Sequence, residues 1–136
     1  MGNCSMDKAY QAQASEWFER GNHDIETAQL LYDERGYTDS IAYHIQQALE
    51  KYLKGYLVLN GKRPPRIHEL DALLANIGAF DKNFADFLGL CEKVSKYYID
   101  DRYPPGPPVD YKYEEIKSDL DRAWEMVRNI QAKTGI

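Results

Sequence analysis

Residues 37–59, YTDSIAYHIQQALEKYLKGYLVL, constrain the fold more than any other stretch of the chain. Ile41, Ile45, Ala48, Leu49, Tyr52, Leu53, Tyr56 and Leu57 recur at three- and four-residue intervals, which sets one side of a helix against a core. Thr38 or Asp39 is suited to the N-cap, where a side-chain oxygen accepts from the first backbone N–H groups. Asn60-Gly61 stops the helix, because both residues tolerate the left-handed conformation found past a C-terminus. A second stripe of His44, Gln47, Lys51 and Lys54, with Ser40 and Val58 at its ends, lies on the opposite side and presents donors in a row. Its plainest reading is a solvated helix face carrying a Glu50–Lys54 pair that contributes about 0.3–0.5 kcal/mol. Its functional reading is a binding surface.

At 136 residues the chain is expected to form one domain, large enough for a core without metal or disulfide support. The net charge of −5 argues against general affinity for nucleic acid, which depends on neutralising phosphates, but allows a local basic groove. No apolar run approaches the ~20 residues needed to cross a bilayer. Cys4 and Cys91 have neither metal-ligand spacing nor the number for a disulfide framework, so a reducing cytoplasm is the expected compartment. The start, MGNCSM, has Met6 where an N-myristoylation signal carries Ser or Thr. Residues 1–6 are therefore expected to be a disordered lead-in and 7–136 the domain. Eleven tyrosines suit partly wet surfaces and hint at self-association.

Elsewhere the same periodicity recurs. Residues 7–35 predict a first helix with Ala14, Trp17, Phe18, Ile25, Ala28, Leu31 and Tyr32 buried. Gly21-Asn22 weakens its middle by about 1 kcal/mol, so a local bend is expected there. Asp24 lies close to the buried side, placed either for solvent or for a partner on another helix. Arg35-Gly36 ends the helix, and the short turn forces an antiparallel hairpin. Pro64-Pro65 imposes an extended path on the following connector. Residues 69–77 predict a short helix with Leu70, Leu73, Leu74 and Ile77 inward, Gly78 as its stop and His68 at its entry, there to cap, pack or reach a ligand. Asp81 or Asn83 starts the next helix, with Phe84, Phe87, Leu88, Cys91, Val94, Ser95, Tyr98 and Ile99 as its apolar stripe. The segment Pro104-Pro105-Gly106-Pro107-Pro108 is a rigid loop. Residues 110–133 supply the last helix, with Tyr113, Ile116, Leu120, Ala123, Trp124, Val127 and Ile130 inward. With no strand candidate, the fold class is all-α: an antiparallel up-and-down bundle of four long helices plus one short one.

Familiar catalytic patterns are missing. No Gly-rich phosphate loop, HExxH, CxxC or nucleophile elbow occurs. His23, His44 and His68 do not share a spacing suited to one metal, and no cofactor or catalytic residue is expected.

The order of signals resembles the HEPN domain family, a helical module of higher eukaryotes and prokaryotes associated with nucleotide binding. WFERGNHDIETAQLL, GYTDSIAYH, QQALEKYLK, IHEL and YYIDDRYP stand in the family's order over roughly residues 14–131. The resemblance implies a bundle that commonly pairs as a homodimer. It implies either a module acting beside a small nucleotidyltransferase chain, in a toxin–antitoxin-like pair, or a ribonuclease toxin. The ribonuclease motif is an Arg followed after four to six residues by His. Arg102 matches the arginine, but Pro107, Pro108 and Val109 stand where the histidine belongs. Without that imidazole, acid–base cleavage of RNA lacks a proton carrier. Arg63 to His68 also spells an Arg-x4-His, but in a different connection.

Together these residues define a nucleotide-binding expectation: Lys51 and Lys54 as ammonium donors, Arg102 as a phosphate fork, Tyr98 and Tyr103 as stacking rings, His44 and Gln47 on polar edges. The structural alternative is an ionic cluster of Glu50, Lys51 and Arg102 that fixes helix register. A third reading is a purely structural interaction domain.

Overall fold

The computed structural model describes residues 4–102 and 111–134, with side chains described over 8–97 and 111–134. Among the described residues five α-helices follow one another: α1 (Cys4–Asp33), α2 (Thr38–Leu59), α3 (Leu70–Gly78), α4 (Leu88–Arg102) and α5 (Tyr113–Thr134). A 3-10 helix over Lys82–Phe87 leads into α4. No strand occurs among the described residues, and no helix there is long and apolar enough to cross a membrane. The predicted all-α bundle is the observed one.

α2 is the axis of the bundle and packs against α1, α3, α4 and α5. Its predicted apolar stripe is buried in full, and burial extends round to Lys54 and Val58 on the opposite side. The solvated-face reading of that side therefore fails at Lys54 and Val58, because the helix is enclosed by its neighbours. Neither Thr38 nor Asp39 is the N-cap; Tyr37 holds that position without a side-chain hydrogen bond. At the other end Gly61 takes φ 74°, with Gly61 N–H donating to Val58 O and Lys62 N–H to Leu57 O, both at 2.9 Å. This closing motif satisfies the last carbonyls and aims the connector away from the helix.

α1 continues unbroken through Gly21-Asn22, where a bend was expected. Gly21 is buried and has no room for a side chain: a Cβ there would stand 2.7 Å from the Tyr52 ring, and a Cβ at Gly55 would stand 2.6 Å from the Phe18 ring. Each helix thus offers a glycine gap to the other's aromatic ring. Phe18 and Tyr52 stack with centroids 5.2 Å apart.

The α3 stripe is buried as predicted. Ser95 of α4 caps this helix by accepting from Leu70 N–H at 2.7 Å. In α4 the expected phase is wrong at Leu88, which is exposed, while Leu90 and Tyr97 are buried. The stripe otherwise holds, with Cys91 and Val94 buried as predicted; Leu88 stands at the junction where the 3-10 helix, with about three residues per turn, passes into α4. Asp81 starts that helix, accepting from Asn83 N–H at 3.0 Å. α5 buries Met126 and Asp119, which the predicted stripe omitted, and leaves Tyr113 and Trp124 partly exposed.

Candidate functional site

Polar residues on α2 form two clusters, one with α1 and one with the connector. On the α1 side, Asp24 Oδ1 pairs with His44 Nδ1 at 2.9 Å, and Lys51 Nζ donates to Asp24 Oδ2. Burial alone would raise the Asp24 pKa. The hydrogen bonds from His44 and Lys51, with their charges, outweigh burial and hold the carboxyl below its ordinary value. Of the two sequence readings of Asp24, the partner on another helix is the observed one.

On the connector side, Glu50 is buried and takes three partners. Lys54 Nζ donates to it at 3.0 Å, Gln46 Nε2 at 3.1 Å, and His68 Nδ1 lies 3.0 Å away. Gln46 also donates to His68 O at 3.1 Å and accepts from Gln47 Nε2 at 2.7 Å. The Lys54 ammonium stands 5.8 Å from the centre of the Trp17 ring. The result is two polar clusters along α2: Asp24 with His44 and Lys51, and Glu50 with Lys54, Gln46 and His68, to which Gln47 joins through Gln46.

This arrangement places His44, Gln47, Lys51 and Lys54 in one row, as the spacing predicts, but commits each to a partner within the chain. Two lysines face two carboxylates, so the row carries little surplus positive charge. The predicted cluster of Glu50 with Lys51 is replaced by two separate pairings, Glu50 with Lys54 and Lys51 with Asp24. The side chains of Tyr98 and Arg102, and all of Tyr103, lie outside the described residues. Gln46 and Glu50 escaped the sequence reading as site residues. Their signal was two polar residues four apart within an apolar stripe, positions that bury only when hydrogen-bonded.

A second polar knot ties α4 to α5. Tyr97 O–H donates to Asp119, which Lys93 also approaches at 3.1 Å. Burial first, then the neighbouring Asp119 carboxylate, raises the Tyr97 pKa and keeps the phenol neutral. Cys91 is buried beside this knot's helix, and burial pushes its thiol up to about 12, leaving it inert as a nucleophile. No group of three or more His, Cys, Asp or Glu suited to a metal occurs among the described residues.

A bundle centred on one enclosed helix, with internal acid–base pairs, narrows the comparison with known proteins. The model of the HEPN domain family matches residues 14–132. The chain belongs to the HEPN domain family. A Methanocaldococcus jannaschii protein named "Putative toxin MJ1304" is 28% identical over 138 residues, covering 88% of this chain and 90% of that protein. The crystal structure of TT1696 from Thermus thermophilus superposes with a TM-score of 0.75 at 27% identity, covering 89% of this chain and 98% of that one. ST0689, described as an archaeal HEPN homologue, gives a TM-score of 0.71 at 21% identity, covering 89% and 97%, and supports the HEPN fold.

Proposed function

We propose that this HEPN chain is the partner-binding member of a two-component pair of the toxin–antitoxin kind, working with a separate nucleotidyltransferase chain in the cytoplasm. It acts as a homodimer and performs no chemistry alone. The observation carrying this reading is the internal neutralisation of the α2 row, where Lys51 and Lys54 are held by Asp24 and Glu50. A free phosphate cradle needs surplus cations; a row already balanced is suited to holding the helices in the shape a partner recognises. The missing histidine after Arg102 points the same way, and the toxin-named relative supports the toxin–antitoxin setting. Co-expression with the nucleotidyltransferase encoded nearest its gene tests the proposal. Co-elution as one complex on size exclusion supports it; separate elution at micromolar concentration overturns it.

The toxin name of the relative favours one second reading, a ribonuclease toxin using Arg102. In that case expression of the chain alone arrests growth and Arg102→Ala relieves the arrest.

A further inference from the structure

Residues 51–68 contain five Lys or Arg and no Asp or Glu, in a chain of net charge −5. Lys51 and Lys54 are paired with Asp24 and Glu50. The other three, Lys62, Arg63 and Arg66, are exposed and form no ion pair among the described residues. Residues 62–65 form neither helix nor turn, as Pro64-Pro65 requires, so these cations are strung along a run instead of converging on one point. Beside the run lies a cleft of about 400 Å³ with Leu57, Pro65, Ala79 and Phe80 as its apolar walls.

Resting on the two-component reading above, we propose that this surface docks an acidic segment of the partner chain. The segment seats one apolar side chain in the cleft and lays its carboxylates along Lys62, Arg63 and Arg66. Arg63 offers a planar fork to a carboxylate, Lys62 a point charge, and Asn76, also on the cleft lining, an amide for the segment's backbone. Charge complementarity selects this occupant: a wholly apolar segment would leave three cations unmatched, and a lone small anion would engage only part of the run. A polynucleotide needs a longer cationic track than three residues in a chain of net charge −5. The surface is also set before a partner arrives. Lys62 N–H donates to Leu57 O at 2.9 Å, the Tyr10 ring packs over Gly61, and Gln46 and Glu50 hold His68 at the far end of the connector. Phe80 stacks on Tyr56 with centroids 6.1 Å apart, and its turn is closed by Phe80 N–H and Asp81 N–H donating to Ile77 O at 3.0 and 2.8 Å. Lys62 rests 5.9 Å from the Phe80 ring centre, a weak exposed contact that it exchanges for a carboxylate. A surface ordered in advance loses less entropy on docking.

Fluorescence anisotropy of labelled peptides with the full chain alone reads the surface without any nucleotidyltransferase. The probes are the acidic DEELFEDE, its form without apolar anchors DEEGSEDE, the uncharged QNQLFQNQ and the basic KKKLFKKK. DEELFEDE is expected to bind, with each of the others about tenfold or more weaker. Lys62→Glu and Arg63→Glu should each weaken DEELFEDE about tenfold. Ala79→Trp, which fills the cleft from an exposed position, should do the same while unfolding in urea as wild type does. Lys117→Glu, an equal charge reversal on α5, should leave binding unchanged. No binding of DEELFEDE, equal binding of DEEGSEDE, or indifference to Lys62→Glu and Arg63→Glu overturns the surface. Displacement of DEELFEDE by oligouridylate at lower concentration than by unlabelled peptide overturns the class of partner. In co-expression, an intact complex with the Lys62→Glu/Arg63→Glu chain overturns the surface and leaves the two-component reading standing. Separate elution of the wild-type chain overturns that reading instead.

Discussion

Replacing Glu50 by alanine is the sharpest test of how this bundle is held. The Glu50 and Lys54 side chains are each 9% exposed, so neither charge has much access to water. Removing the carboxylate strands the Lys54 ammonium between α2 and the Trp17 ring, and deprives Gln46 and His68 of a shared acceptor. Breaking a buried pair from one side costs about 3–5 kcal/mol. With an unfolding entropy of roughly 2.1 cal/mol/K per residue, a chain of this size has about 0.29 kcal/mol/K, so Tm should fall by roughly 10–17 °C. Urea unfolding gives the free energy directly, provided the denaturant slope is unchanged. Lys54→Met in the Glu50→Ala background removes the stranded charge and keeps the stem's volume. The double variant should therefore be more stable than Glu50→Ala alone, with a coupling of about 1 kcal/mol or more. The small cavity left by alanine is common to both and cancels. A Glu50→Ala protein within about 1 kcal/mol of wild type, or a coupling near zero, would show that the two charges are hydrated separately and refute the reasoning.

Gly55→Ala should destabilise by about 1–3 kcal/mol through overpacking against Phe18 and Trp17, although the same change on an exposed helix face stabilises by about 1 kcal/mol. A urea midpoint at or above wild type would refute the close approach of α1 and α2. Asp24 contributes acid-dependent stability. Because its folded pKa lies below the ordinary 3.8, that contribution is complete above the unfolded value and is lost as pH falls through the folded one. Asp24→Asn should be less stable at neutral pH, with the gap to wild type closing in that acid window; a gap constant with pH would refute the assignment.

The apolar side of α2 and the inward face of α3 were legible in sequence because periodic burial is a one-dimensional signal. Asp24 was legible as a question, a carboxylate near an apolar stripe, but its answer needed His44 and Lys51 from another helix. In α4 Cys91 and Val94 were legible, but Leu88 was misplaced at the junction with the tighter 3-10 turn over Lys82–Phe87, a change that no apolar spacing announces. Gly21 misled for a related reason. Propensity reads a glycine as a weak point in its own helix, whereas here it is the space that the Tyr52 ring needs. Glu50 and Lys54 were visible as a helical pair, yet exposed pairs and enclosed ones share the same spacing. Only the neighbours of α2 decide which it is.

The two acids that anchor α2, Asp24 from α1 and Glu50 of α2 itself, have consequences beyond their own pairs. Asp24 fastens α1 to α2 through His44 and Lys51, while Glu50 fastens the start of α3 to α2 through His68. Both lysines that a phosphate would otherwise attract are thereby paired with carboxylates, Lys54 buried and Lys51 half-buried, and the charge left over is carried by the connector. That redistribution explains how a chain with net charge −5 exposes a local cluster of Lys62, Arg63 and Arg66 without opposing carboxylates in the same stretch. It also predicts a direction of failure. Loosening Glu50 should disturb the connector through His68 before it disturbs the α1–α2 contact, where Phe18, Tyr52 and the two glycine gaps pack without help from that carboxylate. Hydrogen exchange on Glu50→Ala should therefore rise first around residues 62–70 and only later along α1; loss of protection in α1 first would show that the charge network, rather than ring packing, joins the two long helices.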